Sequence, residues 1–260
     1  MTTTFLEILS PLPLSREVDA RNLVGLWAST APNILPDRVG THEPGKRQFS
    51  PNDLDALLAE WEHNVLFKRA AKPRLQSSVF MQYGPHRKHS SWTIALDDPR
   101  NANVEELLKL LERASTEFSA DFAFVHKPSM SDVEAGLASG SMTYLNTSKT
   151  RLSLFITTHL LRRYVPDIYW VTVFGEPYVG LFSRQRLLTA PAYQVRELAN
   201  GSVLVQLTES LDASDQALDN YQRRKVLVKE HLNSDVFFDL KKGVNHKYSV
   251  PDFVWREVFH

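Results

Sequence analysis

The sequence contains no cysteine, only 10 glycines among 260 residues, and no excess charge of either sign. The missing cysteine excludes disulfides, thiol nucleophiles and Cys-ligated zinc sites. Its glycines are too few and too scattered for a phosphate-cradling loop. Lys plus Arg is 30 and Asp plus Glu is 30. Nucleic-acid binders draw affinity from neutralised phosphates, so this balance demotes that class. No apolar window approaches the ~18 residues that span a bilayer. The start, Met1 to Ser10, has no cation before Arg16, and Glu7 interrupts its apolar run. A secretory signal needs a basic start and an unbroken apolar stretch, so a cytoplasmic protein with no membrane partner is expected.

What is present is ordinary globular composition, 43% hydrophobic and 23% charged. The patterning predicts one α+β domain over residues 1–260, with a possible internal subdivision near 129–150, where small polar residues gather. Asn22–Ala28 reads as a strand. Ser50 and Pro51 open a helix carrying Leu54, Leu57, Leu58, Trp61 and Val65 at helical spacing. Alternation at Val79, Met81 and Tyr83, then at Trp92, Ile94 and Leu96, predicts two strands around a Gly84-Pro85 turn. A helix from Asn103 and a strand over Asp121–His126 complete the first half. This order predicts a split βαβ arrangement, a mixed sheet with helices packed on it.

In the second half, Leu154–Val165 reads as a helix stopped by Pro166. Ile168–Phe174 reads as a central strand, Arg184–Leu188 as a short helix, and Val203–Leu207 as a strand. A long helix covers Ser214–Leu232. Tyr193–Leu198 with Asn200-Gly201 fits either a hairpin strand or a capped helical turn.

Local catalytic patterns are lacking. His86 and His89 flank two cations in a predicted turn, which argues for solvated residues rather than metal ligands. His126, His159 and His231 stand alone in predicted elements, and acid–base work needs a positioned partner. No Gly-x-Ser-x-Gly elbow occurs. Arg223-Arg224-Lys225 reads as a solvated helix face. Trp170, Phe174, Tyr178 and Phe182 sit among aliphatics and read as core. No metal or cofactor is expected. Glu209, Asp212, Asp215 and Asp219 cluster near the start of the long helix, where acids offset the helix dipole or face a basic partner.

The segment from Pro166 to Phe182, with Trp170, Gly175 and Pro177, continues through Leu187, Leu188 and Pro191 to Gly201–Leu207. Across residues 166–240 it resembles bacterial immunity proteins of polymorphic toxin and type VI secretion systems, and the immunity protein 52 family in particular. The resemblance implies an α+β protein in which a Trp-bearing strand leads into a Gly-x-Pro turn and a Leu-Leu-x-x-Pro segment. It implies a non-enzymatic function: binding a cognate toxin, often a nuclease, and blocking its active site. Two other readings remain at this level, a hydrolase assembled from distant residues such as His126 or His159 with an acid, and a secretion-system adaptor. Oligomeric state is not legible.

Overall fold

A computed structural model describes residues 3–41, 45, 47–82, 87–97, 99–144, 152–210 and 215–255. The chain is α+β and divides into two compact units, Met1–Val125 with Trp255–His260, and His126–Val254.

The first unit begins with β1 (Thr3–Ser10), followed by α1 (Glu17–Thr30), β2 (Arg38–Gly40), β3 (Arg47–Gln48) and the single turn α2 (Asp55–Leu58). Then come β4 (Asn64–Arg69), β5 (Arg74–Phe80), β6 (Ser90–Asp97), α3 (Asn101–Glu117) and β7 (Phe122–His126). Its strands lie in the order β7-β1-β6-β5-β4-β2-β3. β1 runs antiparallel to β6 with Leu6 opposite Ile94 and Ile8 opposite Trp92, and β5 pairs both β4 and β6 antiparallel.

Two expectations for this half are corrected, and one strand is added to them. Thr3–Ser10 is a strand, buried along nearly its whole length, although Glu7 breaks its apolar run. Asn22–Ala28 is helical. Ala20, Leu23, Val24 and Trp27 are buried at three- and four-residue spacing, a period that a seven-residue window truncates. The helix expected from Ser50 through Val65 is one turn only. Val65 and Phe67 are buried in alternation on β4, and Trp61 donates its indole N–H to the Leu14 carbonyl at 3.0 Å. The alternation of strands and helices survives with shifted members, because β1 and α1 supply the first strand and helix.

The core of this unit is aromatic. Trp27 packs edge-on against Phe67 (5.6 Å) and Trp92 (5.2 Å), and Trp92 reaches Phe118 at 6.4 Å. α1 lies beside α3, joined where Arg113 donates to the Ser29 hydroxyl at 3.2 Å.

The second unit carries α4 (Met130–Ser139), β8 (Met142–Tyr144), β9 (Leu152–Leu154), α5 (Thr158–Leu161), β10 (Val171–Phe174), α6 (Glu176–Phe182) and α7 (Arg184–Leu188). It ends with β11 (Gln194–Glu197), β12 (Val203–Gln206) and α8 (Asp215–Leu232). β12 lies between β10 and β11, antiparallel to both, and β8 pairs with β9. The polar stretch after Ser129 opens with α4. Ser129 accepts the Asp132 N–H, Asp132 accepts the Ser129 N–H at 2.8 Å, and Gly140 closes the helix at φ +81°.

The helix expected over Leu154–Val165 is confined to α5, whose Thr157 hydroxyl accepts from Leu160. Tyr178–Phe182 continues after Gly175-Glu176-Pro177 as a helix, with proline in its first turn. Asn200-Gly201 is the turn of the β11–β12 hairpin, with Gly201 at φ +83°, which resolves that alternative. Phe174, Tyr178, Phe182 and Phe237 form this unit's aromatic core, with Phe182 and Phe237 stacked at 6.1 Å. Among the described residues, no helix is long and apolar enough to cross a membrane.

Candidate functional site

Within the second unit, four elements converge on a buried set of charges. His126 ends β7, Asp132 lies in the first turn of α4, Asp167 precedes β10, and Lys225 and Lys229 lie one turn apart on α8. Lys225 donates to Asp132 at 3.1 Å and to Asp167 at 2.8 Å. Lys229 reaches the other Asp167 oxygen at 2.5 Å. Asp132 also accepts from the Ser129 hydroxyl at 2.6 Å and lies 3.2 Å from His126 Nε2. His126 Nδ1 accepts the Trp170 backbone N–H at 3.4 Å. A neutral ring that accepts there carries its proton on Nε2 and donates it to Asp132. The His126 ring stacks on Tyr221 at 5.7 Å, and the Lys225 ammonium lies 5.1 Å over the same ring.

The electrostatics follow from this geometry. Burial pushes the Asp132 carboxyl up, but His126, Lys225 and the Ser129 hydroxyl outweigh it and hold the group well below the ordinary carboxylate range. Asp167 is likewise lowered, with burial opposed by Lys225 and Lys229. Burial disfavours the Lys225 cation, yet Asp167, Tyr221 and Asp132 raise its pKa well above the usual lysine value. The shifts of Asp132, Asp167 and Lys225 all favour the charged form of each group.

A cavity of about 10 Å³ adjoins this set, lined by His126, Asp132, Ser139, Ser141, Asp167 and Tyr169 among others. That is the room of roughly one water molecule. The Ser139 and Ser141 hydroxyls lie 3.0 Å apart, and Ser139 also donates to the Gly136 carbonyl. Among the described residues, no group of three His, Asp or Glu side chains is placed to hold a metal ion.

Sequence spacing missed this cluster because its members, from His126 to Lys229, come from distant parts of the chain. The one local signal was Ser129-x-x-Asp132 as a helix start. Lys225 is 7% exposed and corrects the reading of Arg223-Arg224-Lys225 as a solvated face, in which Arg223 is exposed and Arg224 half-buried. His89 is another correction: it is 1% exposed, lies 3.1 Å from Asp121 and meets the Trp255 ring edge-on at 5.0 Å. His86 lies outside the described residues. His159 is exposed, and His231 lies 2.9 Å from the Arg186 carbonyl oxygen.

Of the acidic residues singled out in sequence, Glu209 and Asp219 are exposed. Asp215 is the first residue of α8, and Asp212 lies outside the described residues. Trp170 is buried and donates its indole N–H to the Thr208 carbonyl at 2.8 Å. Gly175 is buried at the start of α6 and Pro177 is half-buried in its first turn. Leu187 is buried, whereas Leu188 and Pro191 face outward.

No protein-family model matches the chain, and no curated protein matches it in sequence. Its fold is similar to that of the Pseudomonas aeruginosa T6SS protein PA0821. The likeness covers 97% of this chain and 77% of that one, with a TM-score of 0.55 and 11% identity.

Proposed function

We propose that this chain is a cytoplasmic immunity protein of a type VI secretion or polymorphic-toxin system. It binds a cognate effector domain, in the sharpest form a nuclease, and blocks its active site. The observation that carries this reading is the fold shared over 97% of the chain with a T6SS protein. The segment from Trp170 to Pro191, which resembles immunity proteins, supports the finer assignment. On this reading the protein needs no cofactor and catalyses nothing.

The acids at the start of α8 are the proposed contact. Lys225 and Lys229 are bonded inward to Asp132 and Asp167, which leaves Glu209 and Asp219 exposed on the outside. A nuclease cleft that holds a polyanion has a basic rim, and outward carboxylates speed encounter with such a rim.

The pairing of His126 with Asp132 beside a cavity favours a second reading, a hydrolase. A cavity with room for one water gives that dyad little space for a substrate. Co-expression of the effector domain encoded beside this chain, with and without it, tests the first reading. Restored growth together with a co-purifying complex is the expected result. Continued toxicity with no complex overturns it.

A further inference from the structure

α8 turns one arc of its surface to solvent, and its contacts on either side mark where that arc begins and ends. On one flank Gln222 donates to the Ser131 hydroxyl at 3.1 Å and Lys225 bonds Asp132, so α4 lies there. On the other flank Arg224 donates to the Pro191 carbonyl at 3.4 Å, and His231 lies 2.9 Å from the Arg186 carbonyl oxygen, so the end of α7 lies there. Tyr221, Lys225, Val228 and Leu232 are buried on the inner side. At about 100° of turn per residue, the outer arc holds Asp219, Asn220, Arg223, Val226, Leu227 and Glu230, and all six are exposed.

The arc is apolar at its centre and carries opposite charges on the two sides. Val226 is 52% exposed and Leu227 46%, and Met130, next to Ser131 on the α4 flank, is 71% exposed. Arg223 lies one turn before the aliphatic pair and Glu230 one turn after it. Among the described residues neither charged side chain has a hydrogen bond or an ion pair, so Arg223 is not joined to Asp219 one turn earlier on the same helix. Both charges are therefore open to a partner from outside.

We propose that the chain pairs with a second copy of itself through this arc, the two α8 helices running antiparallel about a twofold axis between Val226 and Leu227. In an antiparallel pair, residues equally far from the axis on opposite sides of it stand level. Arg223 is then level with Glu230 of the second copy, Glu230 is level with Arg223 of the second copy, and Val226 meets Leu227 of the second copy at the centre. A parallel pair would set Arg223 against Arg223 and Glu230 against Glu230, so the charge order selects the antiparallel arrangement. One patch serves both copies, which is what a closed twofold contact requires. A few helical turns from each copy make a small interface, below about 1,200 Å² in total, so the pairing is reversible and depends on concentration. It rests on nothing in the effector reading.

Sedimentation velocity of the full chain over a concentration series, with no effector present, tests this. A monomer–dimer equilibrium is expected. Val226→Ser with Leu227→Ser should weaken it at least about tenfold. Arg223→Glu and Glu230→Arg should each weaken it about tenfold, because the twofold axis counts every ion pair twice. The two charge changes together should return it to within about threefold of the starting value, since the pairs are restored with their signs exchanged. Melting curves on dilute samples certify that these surface variants remain folded. A chain that stays monomeric up to about 0.5 mM overturns the proposal. A dimer indifferent to Val226→Ser with Leu227→Ser overturns it as well and places the contact on another surface. So does a double charge exchange that associates as weakly as the single variants, because the antiparallel register would then be wrong. With no effector in the sample, each of these outcomes is separate from that of the co-expression test.

Discussion

Lys225 of α8 and Asp132 of α4 meet at 3.1 Å with side chains 9% and 8% exposed, and Asp167 takes the same ammonium from the loop before β10 at 2.8 Å. One buried cation thus fixes the azimuth of an 18-residue helix against two other segments. Desolvation cancels much of the Coulombic gain in such a set, so its contribution is to orientation more than to net stability. Removing one partner is a different matter, because it strands a buried charge.

Lys225→Met should therefore destabilise the protein by about 3–5 kcal/mol. Lys225→Met combined with Asp132→Asn and Asp167→Asn should recover part of that loss, since no uncompensated carboxylate is left. Urea unfolding of the single and triple variants measures both. Equal losses in the two would show that the ion set does not couple.

Asp132 and Asp167 have folded-state pKa values below their unfolded ones. Stability drawn from a depressed carboxylate is present above the unfolded pKa and is lost as pH falls toward the folded one. Stability should fall progressively below about pH 5 as the unfolded chain takes up protons that the folded state refuses. Asp132→Asn should flatten that slope, as read from melting temperatures across an acid series. A variant that keeps the full slope would place the acid sensitivity elsewhere.

Trp170 sits at the entry to β10 with its indole N–H on the Thr208 carbonyl. Trp170→Ala should cost about 3–5 kcal/mol through the cavity it opens and should lower soluble yield. Binding to the effector, measured per folded molecule, should be unchanged. Normal melting with lost binding would move Trp170 from the core to the interface.

The α+β class and, in the second half, β10, α7, β12 and α8 were legible because their signals are local. Arg184–Leu188 and the long helix of α8 carry helical spacing and end signals within one window. The Asn200-Gly201 turn left two options that only the pairing of Val195 with Val205 separates. The first half was less legible where an element lacks a clean period. β1 is buried on both faces and shows no alternation. α1 was cut short by reading seven of its residues alone. The buried charges were illegible for another reason: a lysine in a basic run looks solvated until Asp132 and Asp167 are brought to it from distant parts of the chain.

The proposed effector contact at the start of α8 has a competing structural explanation, which gives the last prediction its form. Acids near a helix N-terminus offset the helix dipole by ~0.3–1 kcal/mol each, and Asp215 and Asp219 lie in the first two turns. Glu209 precedes the helix and is exposed, so the dipole gives it little reason to be acidic. Glu209→Lys with Asp219→Lys should slow association with the effector, and most at low ionic strength, because screening is weakest there. The dissociation rate should change less than the association rate. If the acids serve only the dipole, Asp219→Lys lowers the melting temperature slightly, Glu209→Lys does nothing, and neither alters association. Stopped-flow binding at two salt concentrations, with melting curves on the same samples, separates the two explanations. An association rate unchanged at both salts would take this surface out of the interface while leaving the immunity reading to the co-expression test.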